Sequence, residues 1–165
     1  MDLKRIARHL FALPGAVDRA LPQPAMAAIE KAIAQSETGH TGEIRLAVEA
    51  ALDGAALFTG QSARSRAIDV FAQLRVWDTE QNNGVLIYLL LADHDIEIVA
   101  DRGIDAKVEA QEWEAICRRM EAALAKAELA QGILTGIEEV SRVLARYFPA
   151  RAGDANELPD KPAVL

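Results

Sequence analysis

The sequence predicts an α/β domain in which a small mixed β-sheet with a central antiparallel hairpin is sandwiched between helices. Residues 85–92 are apolar on both faces, which is typical of a central strand covered by helices on each side. Only Asp93 and His94 separate this run from residues 95–101, a second strand-length run, so the two strands are expected to pair as a hairpin. Segments with apolar residues at helical spacing precede and follow the hairpin.

The first 24 residues are predicted to form an N-terminal amphipathic helix and a linker. Leu3, Ile6, Leu10 and Leu13 share one side of a helix over residues 1–13. We expect this helix to pack on the domain or on a partner protein in preference to a membrane surface.

Residues 25–149 are predicted to form the α/β domain itself. Four helices are expected, over residues 25–35, 62–75, 113–124 and 133–148. The tail, residues 150–165, lacks periodicity and is predicted to be disordered or extended.

Residues 43–49 alternate between apolar and polar side chains, which predicts a strand with one solvent-exposed face. That face carries three charged residues: Glu43, Arg45 and Glu49. The helix over residues 62–75 connects this strand to the strand at 85–92, and such a crossover normally makes the two strands parallel.

Composition excludes several classes of function. The net charge of −7 argues against nucleic-acid binding, which needs a basic face. Cys117 is the only cysteine, so no intramolecular disulfide forms and a reducing compartment is tolerated. No run reaches the roughly 18 apolar residues that a transmembrane helix needs, and no signal peptide is visible. We therefore expect a soluble, cytoplasmic protein.

The predicted hairpin gathers polar residues at the end far from its turn. If Asp93 and His94 form the turn, Val85 lies opposite Arg102, and Asn82 and Asn83 lie beside Asp101. The parallel crossover brings the start of the strand at 43–49 to the same end. Seven residues are expected to converge there: Glu43, Asp78, Glu80, Asn82, Asn83, Asp101 and Asp105.

Carboxylate and amide oxygens of this kind suit calcium or magnesium. The predicted metal ligands are Glu43, Asp78, Asn83 and Asp101. Asn82 and Arg102 are predicted to shape the loop and bind the ligand, since a guanidinium can hold a phosphate or carboxylate. The alternative is that these residues simply cap strands and turns.

Other motifs are absent or incomplete. Asp78-x-Glu80-x-Asn82 resembles the start of an EF-hand loop, but the glycine comes one place late and Leu89 stands where a bidentate glutamate belongs. The three histidines are far apart, which argues against zinc. Cys117 occupies an apolar helix stripe and is expected in the core rather than as a nucleophile.

Residues 76–88, with the sequence Val-Trp-Asp-Thr-Glu-Gln-Asn-Asn-Gly-Val-Leu-Ile-Tyr, and residues 96–104 resemble the TPM domain family. The similarity extends from about residue 42 to residue 149, and Asn82-Asn83-Gly84 is its most specific element. The resemblance implies a small sheet between helices. It also implies divalent-cation binding at one end of the sheet in some members, weak acid phosphatase activity in some plant members, and assembly or repair roles in others.

This sequence departs from the family pattern in two ways. Many members have Gly-x-Gly where this chain has Asp101-Arg102-Gly103, and many carry a signal peptide and a membrane anchor. The second departure favours a cytoplasmic, bacterial-type member.

Three functions remain open at this point. The first is a calcium- or magnesium-binding accessory or interaction domain. The second is a weak metal-dependent acid phosphatase, in which Arg102 binds phosphate and Asp101 acts as nucleophile or base. The third is a structural partner protein that binds another protein through its N-terminal helix or its tail.

Overall fold

The computed structural model describes residues 3–165 and confirms the α/β class. Its sheet is built from four strands: β1 (Ile44–Glu49), β2 (Val85–Leu90), β3 (Asp95–Ala100) and β4 (Ala163–Val164). The strand order is β3-β2-β1-β4. β1 pairs in parallel with β2 and with β4, whereas β2 and β3 form the antiparallel hairpin.

Eight α-helices lie within the described residues: α1 (Leu3–Leu10), α2 (Ala16–Ala20), α3 (Gln23–Ser36), α4 (Gly54–Phe58), α5 (Ala63–Gln73), α6 (Arg102–Asp105), α7 (Ala110–Ala125) and α8 (Leu129–Tyr147). Side chains cap three of them: Asp53 accepts a backbone N–H at the start of α4, Ser62 at the start of α5 and Asp101 at the start of α6. From residue 3 to residue 165, no helix is both long and apolar enough to cross a membrane.

Helices cover both faces of the sheet, as expected for a strand that is apolar on both sides. One face packs against α3, α7 and α8, whose buried side chains include Ile29, Ile33, Trp113, Ile133, Ile137 and Val140. The opposite face packs against α5 through Ala63, Ala67 and Val70. Every residue of β2 is buried as a result.

The hairpin register differs from the prediction by two residues. Val85 pairs with Ala100 rather than with Arg102, and Leu90 pairs with Asp95. A two-residue turn of type I′ needs positive φ at both central residues. Here His94 has φ 55°, while Leu91–Asp93 form a 3-10 turn, so the connection is four residues long. A shift of two residues keeps every side chain on its predicted face.

The predicted solvent-exposed face on β1 is wrong, because all six residues of β1 are buried. Glu49 accepts a hydrogen bond from the Tyr88 hydroxyl (2.6 Å) and pairs with the Arg66 guanidinium (2.9 Å) on α5. Arg45 is covered by the tail, whose carbonyl oxygens accept from its guanidinium. The charged residues of this strand are therefore buried with polar partners rather than solvated.

Helix α1 docks largely through polar contacts, and of the four apolar residues predicted to pack only Ile6 is packed against the domain. The Arg5 guanidinium donates to Asp93 at the hairpin connection (2.8 Å), and His9 Nε2 lies 3.0 Å from the same carboxylate. Burial on its own would raise the pKa of Asp93, but these contacts together hold that pKa below its ordinary value. Three of the four predicted core-facing leucine and isoleucine side chains are exposed: Leu3, Leu10 and Leu13.

The tail runs along the outer edge of β1 and ends in β4. Leu158 is buried in the core that α5 shares with the sheet. Ala163 and Val164 pair with Ala47 and Val48 of β1. The Leu165 N–H extends this ladder by donating to the Val48 carbonyl (3.0 Å).

Candidate cation-binding site at the polar end of the sheet

One end of the sheet, here called the polar end, contains Thr41, Glu43, Asn82, Asn83, Asp101 and Arg102. Parallel β1 and β2 both begin there, and antiparallel β3 ends there. The Val85 N–H donates to the Glu43 carbonyl (2.8 Å), and the Asp101 N–H donates to the Gly84 carbonyl (2.8 Å). The topology thus brings the residues before β1 and β2 next to those after β3.

Glycines allow the backbones to approach closely at the polar end. A Cβ on Gly84 would lie 2.0 Å from the Val76 carbonyl oxygen, and one on Gly103 would lie 2.5 Å from that of Asn82. Both neighbours are backbone atoms, which move only if the loop moves. The Gly103 N–H also donates to the Asn82 carbonyl (2.9 Å), so the two loops are tied together.

Asn83 is fully buried and joins the loop before β1 to the loop before β2. Its amide nitrogen donates to the Thr41 carbonyl (3.0 Å), and its backbone N–H donates to the Thr79 hydroxyl (3.1 Å). Its Oδ1 is buried and has no hydrogen-bond partner among residues 3–165.

Asp101 follows β3 directly, donates its N–H to the Gly84 carbonyl and is 8% exposed. Its Oδ1 accepts the Arg102 N–H (2.8 Å) and so caps α6. Its Oδ2 is buried and, like Asn83 Oδ1, lacks a partner within the described part of the chain. The exposed Arg102 side chain donates to Asn82 Oδ1 (3.3 Å).

Glu43 is buried, but its carboxylate is occupied by the tail. Its two oxygens accept the backbone N–H groups of Glu157 (2.9 Å) and Leu158 (3.2 Å). Burial raises the pKa of Glu43, and the two hydrogen bonds oppose that effect. For Glu43 to bind a cation, the tail would have to release these bonds.

The remaining acidic residues of the predicted cluster lie at its margin. Asp78 and Asp105 are exposed, and so is Glu80. The Glu80 N–H donates to the Glu157 carboxylate (2.9 Å), so the tail also crosses this part of the polar end. Across residues 3–165, no three His, Cys, Asp or Glu side chains form a group suited to a metal ion.

The residues of the polar end offer a cation a combination of carboxylate and amide oxygen atoms rather than a cluster of carboxylates. One buried carboxylate oxygen, Asp101 Oδ2, and one buried amide oxygen, Asn83 Oδ1, have no hydrogen-bond donor among residues 3–165. An unsatisfied buried acceptor costs roughly 1–3 kcal/mol, and hard cations such as calcium bind carboxylate and amide oxygens. A cation here would need water or backbone carbonyls to complete its coordination.

Sequence reasoning missed Thr79 and Glu157 at the polar end; it placed the Thr41 loop there without the contact that Thr41 makes. Thr41 and Thr79 anchor Asn83, and Glu157 brings the tail onto Glu43. Short hydroxyl side chains in loops commonly bond to nearby backbone, which is the signal that Thr79 offered. Nothing local in the sequence indicates that residue 157 returns to β1.

Cys117 lies away from the polar end, partly buried beside β3. Burial raises the pKa of its thiol to about 12. The thiol is therefore protonated at neutral pH, in agreement with its expected packing role.

Comparisons with known proteins agree with the fold described above. The family model described as TPM domain matches residues 18–143. The NMR structure of the BA42 protein from the psychrophilic bacterium Bizionia argentinensis is 31% identical with a TM-score of 0.78, over 88% of this chain and 95% of that one. The solution NMR structure of the N-terminal domain of a P. gingivalis protein shares the fold, at 16% identity and a TM-score of 0.61, over 80% of this chain and 83% of that one. The search of curated proteins returned no match. The chain belongs to the TPM domain family.

Proposed function

We propose that this chain is a TPM-type accessory domain that binds calcium or magnesium at the polar end, with Asp101 and Asn83 as its central ligands. The observation that carries the proposal is the pair of buried acceptors, Asp101 Oδ2 and Asn83 Oδ1, that lack hydrogen-bond donors within the described residues. A bound cation would satisfy them, and their chemistry is that of calcium and magnesium ligands.

The ligand set favours weak binding. Among the described residues of the polar end, Asp101 supplies the one buried carboxylate oxygen that is free of donors, because Glu43 is held by the tail and Asp78 is exposed at the margin. The hydrogen bond from Arg102 to Asn82 holds the flanking loop in place. Cation sites with few charged ligands bind calcium with dissociation constants of about 10⁻⁴ to 10⁻³ M, and we expect the same here.

We infer an accessory role rather than catalysis. Asp101 Oδ1 accepts the backbone N–H of Arg102, and the Arg102 guanidinium is directed to Asn82, so these groups are used to build the loop. Turnover of a generic phosphate ester by the wild-type chain, lost in Asp101→Asn, would contradict this role. We place the function in the cytoplasm, a reducing compartment that the chain tolerates because its single cysteine forms no intramolecular disulfide.

Calcium-dependent stability tests the cation proposal. With a dissociation constant near 1 mM, 10 mM calcium chloride should raise the free energy of unfolding by about 1.4 kcal/mol. Asp101→Asn keeps an oxygen to cap α6 but removes the charge, so the calcium effect should disappear. Asp105→Asn is the matched control, because Asp105 is exposed on the same helix. An equal calcium effect in Asp101→Asn, or none in the wild type, would contradict the proposal.

A further inference from the structure

The outer edge of β1 is covered by the chain's own tail. β4 pairs in parallel with β1 through Ala163 and Val164, and the Leu165 N–H continues the ladder. Without the tail, this strand would present a row of unpaired backbone groups, which is a template for another strand. The edge of β1 from Glu43 to Val48 is called the tail groove below.

Within the described residues, two buried charged side chains of the tail groove make their hydrogen bonds to main-chain atoms of the tail. The Glu43 carboxylate accepts the N–H groups of Glu157 and Leu158. The Arg45 guanidinium donates to the carbonyl oxygens of Pro159 and Lys161, the latter at 3.0 Å. Contacts of this kind recognise an extended backbone rather than particular side chains.

Two tail side chains supply the sequence preference of the groove. Leu158 and Pro162 are buried, whereas Pro159 and Lys161 between them are exposed. The segment therefore docks through a main-chain ladder and two apolar anchors spaced four residues apart. This combination is the usual arrangement when an extended peptide is bound at a sheet edge.

The tail is joined to the rest of the domain by a segment that contributes little to its docking. Residues 151–156 are all exposed, and Gly153 has φ 82°. The TPM family match ends at residue 143, before the tail begins. Residues 151–156 thus form an exposed connection that can act as a tether for residues 157–165.

We propose that the tail groove is a docking site for an extended peptide, and that the tail of a second copy of this chain can replace the tail seated there. An empty groove would be costly, because Glu43 and Arg45 would be left buried without their backbone partners. We therefore expect the tail of a second copy to displace the tail already in the groove directly, without a stage in which the groove is empty. The proposal is independent of cation binding.

A synthetic peptide of residues 155–165 tests whether the groove accepts this segment in trans. The full-length Leu158→Asp variant weakens its own tail but keeps the groove, so it should bind the fluorescently labelled peptide at least tenfold more tightly than the wild type. A peptide that carries Leu158→Asp should not bind. The full-length Pro162→Ser variant provides the same test if Leu158→Asp fails to fold, as judged by its amide NMR spectrum. Absence of peptide binding to a folded variant up to about 1 mM, the effective concentration typical of a short tether, would overturn the proposal.

Complementation tests whether a second copy is the occupant. Leu158→Asp has an intact groove and a defective tail, whereas Arg45→Met has a defective groove and an intact tail. Each variant alone should sediment as a monomer, and their equimolar mixture should form a heterodimer. A mixture that stays monomeric while the free peptide binds would overturn the second copy as the occupant.

Discussion

At the residue scale, Glu37 shows how burial couples to pH in this fold. Its carboxylate lies at the end of α3 and accepts the Ile44 N–H (2.9 Å). Burial raises the pKa of Glu37 to about 8, with repulsion from Glu43 and Asp160 adding to the effect and the Ile44 bond opposing it. The folded state therefore binds this proton more tightly than the unfolded state does. The resulting stability is fully present below the unfolded pKa, near 4.5, and is lost as the pH rises through 8.

Glu37→Gln should remove this dependence, because the amide keeps an acceptor for Ile44 and cannot ionise. The free energy of unfolding of the variant, relative to wild type, should rise between pH 5 and pH 9 in urea titrations. Glu30→Gln, an exposed change on the same helix, is the control and should leave the difference flat. A parallel response of Glu37→Gln and wild type would show that Glu37 ionises as freely in the folded state as in the unfolded chain.

Individual residues of the polar end were partly predictable from sequence. Asn83 and Asp101 follow from their positions at the strand ends, and the structure places both at the polar end, where Asp101 bonds to the Gly84 carbonyl. The partner of Glu43 could not be predicted, since residues 157 and 158 are more than 100 positions away and carry no periodic signal. Side-chain pairing across such distances depends on tertiary packing rather than on local propensity.

At the element scale, the loops of the polar end depend on glycine where they touch. A Cβ on Gly103 would lie 2.5 Å from the Asn82 carbonyl oxygen and 2.6 Å from that of Gln81. Gly103→Ala should therefore separate the two loops and lower the free energy of unfolding by about 1–3 kcal/mol. Gly39→Ala is the matched control, because a Cβ on Gly39 would meet no neighbouring atom within 4 Å and its φ lies outside the left-handed region.

Chemical denaturation measures the glycine prediction directly. A loss of less than about 0.5 kcal/mol in Gly103→Ala, the range of ordinary surface substitutions, would mean that the loops separate at little cost. The calcium effect on stability should be lost in the same variant.

Elements were predicted more reliably than their pairing details. The apolar run that forms β2 identifies a central strand because both of its faces must be covered. The hairpin register was wrong by two because His94 alone adopts positive φ and the turn uses two more residues than expected. The alternation of apolar and polar residues in β1 could not predict that Arg45 and Glu49 are buried. Their burial depends on partners elsewhere in the chain: Arg66 on α5 for Glu49, and the tail for Arg45.

At the scale of the whole molecule, the two ends of the chain close over opposite ends of the sheet. The tail crosses the polar end at Glu43, and α1 docks on the hairpin connection through Asp93. The His9 ring links this contact to the Leu52 N–H, which donates to His9 Nδ1 (3.0 Å). The Leu52 bond leaves the Nε2 side of the His9 ring facing the Asp93 carboxylate, 3.0 Å away.

Asp93→Asn should release α1 without unfolding the domain. Hydrogen bonds to charged groups contribute about 1.5–3 kcal/mol, so amide exchange in α1 should accelerate at least tenfold while exchange in β2 stays unchanged. Asp69→Asn, which alters an exposed carboxylate bonded to Gln61, is the control. Unchanged protection of α1 in Asp93→Asn would mean that Ile6 and its apolar neighbours dock the helix instead.

The fold class and its layers could be predicted from the sequence, because they follow from the spacing of apolar residues along each element. The docking of α1 was only partly predictable, because its amphipathic pattern predicts apolar packing, which Ile6 alone provides. Arg5 and His9 make polar contacts instead, and Leu3, Leu10 and Leu13 stay exposed. Ion pairs between residues far apart in the sequence, such as Arg5 and Asp93, leave no periodic pattern from which they could be predicted.

The central claim is that a cation binds at the polar end, and calcium titration followed by amide chemical shifts tests it most directly. We expect saturable shifts confined to residues 81–84 and 101–103, with a midpoint of about 10⁻⁴ to 10⁻³ M. They should vanish in Asp101→Asn and persist in Asp105→Asn. Amide resonances of these two segments that do not move up to 10 mM calcium, about ten times the weakest expected dissociation constant, would contradict the account.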